Sequence, residues 1–201
     1  MATVSGRVVN TGNITAGQKA GIGMYAGGLA GSAENYGVID ASGSETFGMY
    51  GASGATLYNA GTGVINVDGL NAKGMVGTNK ANLINYGVIN VNGVGTQGVY
   101  IDKGATLVNN GQIIVNGVGR AGVFVGIGSS FENTSGVTLN SGGTVVLNGG
   151  GSLFNAGDIT IDGPNAIIDG ITITNTGTID ITGEVAFTGN IMLDTVAGEP
   201  G

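Results

Sequence analysis

Asn85-Tyr86-Gly87-Val88-Ile89-Asn90-Val91, closed by Gly93, then Gly98-Val99-Tyr100, then Ala105-Thr106-Leu107-Val108 leading into Asn109, is the stretch whose reading decides the fold. It holds three short runs, each β-branched or aromatic-rich and each bounded by Gly, Asn or Ser. That is the pattern of strands, not of a helix. A helix would also lose about 1 kcal/mol at each interior glycine. The three runs end where they began, at an Asn, so the stretch describes one turn of something that repeats.

Working outward, the Asn-x-Gly-x-Ile signature recurs at Asn35, Asn59, Asn85, Asn109, Asn133, Asn155 and Asn175, with a degenerate copy at Asn10. The steps between them are 25, 24, 26, 24, 24, 22 and 20 residues. A drifting period near 24 with three strands per repeat predicts a parallel β-helix of seven to eight coils. Coils stacked about 4.8 Å apart would make a rod of roughly 35–40 Å. Alternation then assigns the inward stacks. One is Ile39/Ile65/Ile89/Ile113/Val137/Ile159/Ile179, and two residues on is Ala41/Val67/Val91/Val115/Leu139/Ile161/Ile181. The run that leads into the Asn gives Leu57/Leu83/Leu107/Phe131/Leu153/Ile173. In the middle run (Gly48-Met49-Tyr50, Gly74-Met75-Val76, Gly98-Val99-Tyr100, Gly122-Val123-Phe124) parity does not decide which residue faces in. Val145-Val146-Leu147 and Ala166-Ile167-Ile168 read as later, altered copies of that run.

The repeated Asn shares parity with the inward leucines, so it turns inward at a corner. Stacked coil on coil, its amide can bond the next Asn and the turn backbone as a ladder. Asn also tolerates a left-handed corner. The seven copies Asn35, Asn59, Asn85, Asn109, Asn133, Asn155 and Asn175 are therefore expected to be structural and not ligand-binding.

Composition narrows function by exclusion. The 201 residues include 43 glycines, two prolines and no Cys, His or Trp, so disulfides, thiolate nucleophiles, His-based triads and ordinary zinc sites are unavailable. Charged residues are 9% and hydrophobic ones 41%, which opposes disorder. The net charge of -7 is uneven. Residues 1–120 carry six bases against five acids, whereas residues 121–201 carry eight acids and no base. No basic stripe is available for nucleic acid or an anionic membrane surface. No apolar run is long enough to span a bilayer, so no membrane insertion by this segment is expected. The opening residues lack a secretory leader pattern, which leaves either a non-secreted protein or a piece of a larger secreted chain.

Few residues suggest chemistry. Asp158, Asp162, Asp169 and Asp180 gather near the C-terminus, and paired carboxylates can serve a glycosidase or hold calcium. The calcium β-roll nonapeptide is not supplied by Asn148-Gly149-Gly150-Gly151-Ser152-Leu153, and a lyase would want a nearby Lys or Arg. A solvated surface explains these acids more simply, so no catalytic residue, metal or cofactor is expected. Gly117-Val118-Gly119-Arg120-Ala121-Gly122 matches a dinucleotide fingerprint in letters, and Gly21-Ile22-Gly23-Met24-Tyr25-Ala26 resembles part of one. Neither precedes an amphipathic helix, so both read as turn chemistry. Two outward polar rows remain: Asp40/Asn66/Asn90/Ile114/Thr138/Thr160/Asp180 and Ser42/Asp68/Asn92/Asn116/Asn140/Asp162/Thr182. They suit either glycan hydroxyls or plain solvation. Tyr25, Tyr50, Tyr100 and Phe124 recur in the middle run and belong either to the core or to an exposed stacking row.

The repeat Asn-x-Gly-x-Ile-x-Val-x-Gly, then Gly-[Met/Val]-Tyr, then Gly-Ala-Thr-Leu-x-Asn, resembles the passenger of a bacterial autotransporter (type V secretion), in the style of fusobacterial outer-membrane adhesins. The resemblance covers about residues 10–187. It implies a right-handed parallel β-helix at the bacterial cell surface or outside the cell, a mainly structural rod for adhesion and not an enzyme. Its partners would be a host or bacterial cell-surface protein or glycan. The secretion signal and translocator barrel of that family are not in this sequence. Residues 1–187 are expected to form one solenoid, and 188–201 a tail that caps it or links onward. Two alternatives stay open. One is a self-assembling β-helix that stacks end to end into filaments, and the other is a carbohydrate-active β-helix of the tailspike kind.

Overall fold

A computed structural model describes residues 6–116, 121–140, 151–161, 166–182 and 185–193. Every described strand joins one of three parallel sheets. Sheet A stacks Arg7–Asn10, Ser32–Asn35, Thr56–Asn59, Asn82–Asn85, Thr106–Asn109, Ser130–Asn133, Ser152–Asn155, Ala166–Asn175 and Val185–Leu193. Sheet B stacks Asn13–Thr15, Val38–Ala41, Val64–Val67, Val88–Val91, Gln112–Asn116, Gly136–Asn140, Asp158–Ile161 and Thr178–Ile181. Sheet C stacks Ile22–Gly27, Phe47–Ala52, Lys73–Thr78, Gln97–Ile101 and Ala121–Val125. As far as Val125 the chain visits A, B and C in turn and then repeats, which makes a parallel β-solenoid of three strands and about 24 residues per coil; the later described strands alternate between A and B. No helix occurs among the described residues, and none is long and apolar enough to cross a membrane.

Register follows the repeat. Leu57 pairs with Leu83, Ile65 with Ile89, and Met49 with Met75. Each inward side chain in these pairs lies on its own kind one coil away, and elsewhere on another apolar one, such as Phe131 on Leu107, so the core is a column. Ile39, Ile65, Ile89, Ile113 and Ile159 are buried from sheet B, as are Leu57, Leu83, Leu107, Phe131, Leu153 and Ile173 from sheet A. Ile179 is only partly buried. Of the remaining stack members, Ala41, Val67, Val91 and Val115 are buried, while the side chains of Val137, Leu139, Ile161 and Ile181 lie outside the described residues.

The middle run breaks alternation once. In Phe47–Ala52, Gly48 and Met49 are both buried while Phe47, Tyr50 and Ala52 are only partly so. Two consecutive residues thus face in, which is why parity could not orient this run. The glycine is required there. A Cβ on Gly98 would lie 2.7 Å from the Gly122 carbonyl oxygen and about as close to Val91 and Ile113, at 3.0 and 3.1 Å.

The corners differ in backbone. The B-to-C turn places Ala20, Glu45, Asn71 and Gly95 in the left-handed region, one per coil. The C-to-A turn uses two left-handed residues, Ser53-Gly54, Asn79-Lys80 and Lys103-Gly104, closed by bonds such as Ala55 N to Ala52 O at 3.2 Å. That is a type I′ turn. The repeated ladder Asn residues were expected to profit from left-handed tolerance; instead they end sheet A strands and none has a positive φ. Turning is done elsewhere, and the Asn acts through its side chain.

Ala166-Ile167-Ile168, expected in the middle-run sheet, is instead the first half of the ten-residue sheet A strand Ala166–Asn175. Only three residues separate Ile168 from Thr172, against five between Tyr100 and Thr106, so no room remains for the turn. The register shifts between Asp169 and Thr172 as the strand runs on. The last described strand, Val185–Leu193, crosses the boundary drawn at residue 187, pairing Asn190 with Thr172 and Leu193 with Asn175. Val145–Leu147, Asp162 and residues 194–201 lie outside the described residues.

Candidate functional site

The repeated asparagines form one continuous buried ladder. Asn10, Asn35, Asn59, Asn85, Asn109, Asn133 and Asn155 each donate from Nδ2 to Oδ1 of the next, ending on Asn175, over distances of 2.7–2.8 Å. Each amide also holds its corner. Asn109 Nδ2 reaches the Gly111 carbonyl at 3.2 Å and the Gly136 carbonyl of the next coil at 3.3 Å. Asn35, Asn59, Asn85, Asn109, Asn133 and Asn155 are fully buried or nearly so, and Asn175 is half-buried. A side chain so enclosed presents nothing to a ligand.

Sheet B faces outward with the two polar rows. Asn66 donates to Asp40 at 2.7 Å and Asn90 to Asn66 at 3.0 Å. In the second row Asn92 donates to Asp68 at 2.9 Å and Asn116 to Asn92 at 2.8 Å. Asp40, Asn66 and Asn90 of the first row and Asp68, Asn92 and Asn116 of the second thus satisfy one another along the rod. Asp158 and Asp180 also lie on this sheet, exposed, but they are not cross-strand partners: Asp158 pairs with Thr178 and Asp180 with Thr160. Asp162 and the side chain of Asp169 lie outside the described residues. Among the described residues no three acidic groups gather where they could hold a metal ion. A shallow groove between sheets A and B is lined by Gln112, Thr134, Ser135, Gly136, Gly157, Asp158 and Thr160, with Asp158 the sole ionisable group of that lining.

Sheet C has a different outer face. With Met49, Met75 and Val99 turned in, the aromatic row Tyr25, Tyr50, Tyr100 and Phe124 turns out. Tyr25 and Tyr50 stack at 5.9 Å, and Tyr100 and Phe124 at 4.6 Å with nearly parallel planes. Val76 interrupts the row between the two stacks. There the Lys73 ammonium sits 5.7 Å from the Phe47 ring centroid and 5.8 Å from that of Tyr100. Burial pushes the Lys73 pKa down, opposed by the negative Glu45 nearby. Burial raises the Tyr100 pKa, and Asp102 adds to it. Beside Lys73 in register is Gln97, whose Oε1 is buried without a hydrogen-bond partner.

A family model, the BigA third pectate lyase-like domain, matches residues 30–148. The chain belongs to that family. No curated protein and no solved structure matches it. The matched part of this BigA-type domain spans the middle coils, including the sheet C strands from Phe47 to Val125.

Two features of the domain escaped the sequence reading. Phe47, Lys73 and Gln97 occupy one outward row, and the signal for them was their place immediately before the middle-run glycine. A second aromatic cluster, Tyr36, Tyr58 and Tyr86, packs at 6.2 and 5.7 Å near the A–B corner. Next to it Arg7 grips Glu34 through two 2.6 Å bonds, and the Tyr36 hydroxyl donates to the same carboxylate. That grip holds the Glu34 carboxyl below its ordinary value. Of the glycine strings, Gly21–Ala26 runs into a strand and not a helix, while 117–120 lie outside the described residues.

Proposed function

We propose that this chain is a rod segment of a bacterial surface adhesin, displayed at the cell surface or outside the cell, that holds a host or bacterial cell-surface protein or glycan without chemical turnover. Membership in a BigA-type β-helical family supports a surface or structural role. The observation that carries the reading is the outer surface. Its rows repeat coil after coil; one groove with a carboxylate has Asp158 as its sole ionisable group, and in another the Glu34 carboxylate is already gripped by Arg7 and the Tyr36 hydroxyl. Acid–base cleavage of a glycosidic bond needs two placed carboxylates, or a carboxylate and a base. The buried asparagine ladder and self-satisfied sheet B rows serve the rod, which leaves binding to exposed side chains.

The test is adherence of beads coated with the purified chain to epithelial cells and to bacteria. Saturable adherence, with no new sugar ends released from polysaccharide substrates, is the expected result. Beads that adhere no better than albumin-coated ones, with the coat still folded by circular dichroism, overturn the adhesin reading.

A further inference from the structure

The lysines of this rod are gathered on one side. The four lysines fall on sheet C or its two bordering turns: Lys19 in the B-to-C turn, Lys73 in the sheet, Lys80 and Lys103 in the C-to-A turn. Sheet B presents Asp40, Asp158 and Asp180 and, among the described residues, no base, while Glu45, Asp68 and Asp102 share the turns that border sheet C with the lysines. Lys19 pairs loosely with Glu45 at 3.8 Å. Lys73 makes no ion pair among the described residues, although it is half-buried. Removing an ammonium from water is costly, and the ring faces of Phe47 and Tyr100, with the Glu45 charge nearby, offset only part of it. An anion placed there would complete the set.

We propose that the outer face of sheet C binds an acidic glycan, with its sugar rings on the Tyr25–Tyr50 and Tyr100–Phe124 stacks and a carboxylate or sulfate on Lys73. The inference rests on the adhesin reading and names its ligand. The rings of each pair cover one another's inner faces, so a sugar lying across them packs its apolar C–H face on ring edges and meets the tyrosine hydroxyls at the rim. Successive coils advance about 4.8 Å, close to the rise of one pyranose in an extended β-linked chain, so a glycan along the rod meets equivalent groups coil after coil. The five strands of sheet C give a track of about 20 Å. Lys80 and Lys103, exposed at the border, add long-range attraction that salt would screen.

Titration calorimetry with a hyaluronan octasaccharide, and with a neutral chitin oligosaccharide of equal length, tests this on the whole chain. Binding of the acidic probe at least tenfold tighter than the neutral one, and weakening with added salt, is expected. Lys73→Met keeps the stem and removes the charge; it should lower affinity for the acidic probe about tenfold and leave the neutral one unchanged. Tyr100→Ala should weaken both, and Asn92→Ala on sheet B neither. Circular dichroism and melting of each variant exclude a folding defect. Equal binding of the two probes, an unaffected Lys73→Met variant, or displacement of the probe by an acidic peptide at lower concentration overturns the proposal. Beads that adhere to cells unimpeded by the octasaccharide defeat this ligand and leave the adhesin reading standing. Beads that fail to adhere while the octasaccharide binds as described defeat that reading and leave the site.

Discussion

The interior asparagine ladder and the outward asparagine rows of sheet B look alike in geometry. Interior links are 2.7–2.8 Å. Exterior links are 2.7–3.0 Å. Both repeat once per coil. They run in opposite directions: interior amides donate toward the next coil, whereas Asn66, Asn90, Asn92 and Asn116 donate toward the preceding one, ending on Asp40 or Asp68. The energetic difference lies in what else each amide holds and whether water could replace it. The interior amides are buried and also hold corner carbonyls. The exterior ones stand in solvent, where a lost bond is exchanged for one to water.

The widest gap between the two should appear on truncation of an interior rung. Asn109→Ala removes the donor to Asn133 Oδ1 and to the Gly111 and Gly136 carbonyls, and the acceptor for Asn85 Nδ2. Buried groups left unpaired should cost about 2–4 kcal/mol in total, a fall of about 5–15 °C in melting temperature. Because each coil contacts only its neighbours, a break in mid-rod should also split the transition into two steps. Calorimetry of the variant decides; an unchanged single transition would remove the ladder from the account of stability.

Next in size is a steric test of the same column. Gly98→Ala pushes a methyl group at the Gly122 carbonyl oxygen. It should cost about 1–3 kcal/mol by overpacking. Gly61→Ala is the control, since nothing lies within 4 Å of the added carbon and its φ is not positive. Its melting temperature should stay within a degree or so of the parent. Equal losses from both would mean that glycine serves only chain flexibility here.

Much of this interior was legible in the sequence. Ile89 lies two residues before Val91 in a period near 24, and that suffices to place both in a column. The Asn positions shared the parity of Leu57 and Leu107, which put their amides inside. The outer face of sheet C was harder for a physical reason. Gly48 and Met49 both face in, so alternation fails at the residue before the aromatic one. The lysines at 19, 73, 80 and 103 fall at different places within the coil, and only the turns bring them to one side. The fused strand Ala166–Asn175 was missed because apolar pattern alone does not register that a turn has lost two residues.

A smaller effect is expected from the exposed Arg7–Glu34 pair, which tests whether any outward polar contact approaches the interior ones. Hydrogen bonds from Arg7 lower the Glu34 pKa from its ordinary value of 4.5. A carboxyl with a lowered folded value contributes stability that is complete above its unfolded value and is lost as pH falls through the folded one. The melting temperature of the parent chain should therefore decline slightly more below pH 4.5 than that of Glu34→Gln, and high salt should shrink the difference. A larger decline in the Glu34→Gln variant would have the wrong sign and remove the pair from the ledger of contacts that favour folding.

Smallest of all should be the exterior counterpart of the first test. Asn90→Ala deletes a 3.0 Å bond to Asn66 on the face of sheet B, at a site beside water. The freed Asn66 Oδ1 can be solvated, and the strand keeps its main-chain pairing to Asn66 and Ile114 in the neighbouring coils. Alanine is a weaker strand former than asparagine's neighbours Ile89 and Val91, but one exposed position changes that preference little. The change in stability should stay within about 0.5 kcal/mol, a shift of a degree or two in melting temperature. The ratio of the Asn109→Ala effect to this one measures what enclosure adds to an amide ladder of nearly fixed bond length. A ratio near one would mean that amide-to-amide bonding itself stabilises the rod; a large ratio would assign the stability to the burial of the interior amides and to the corner bonds they add.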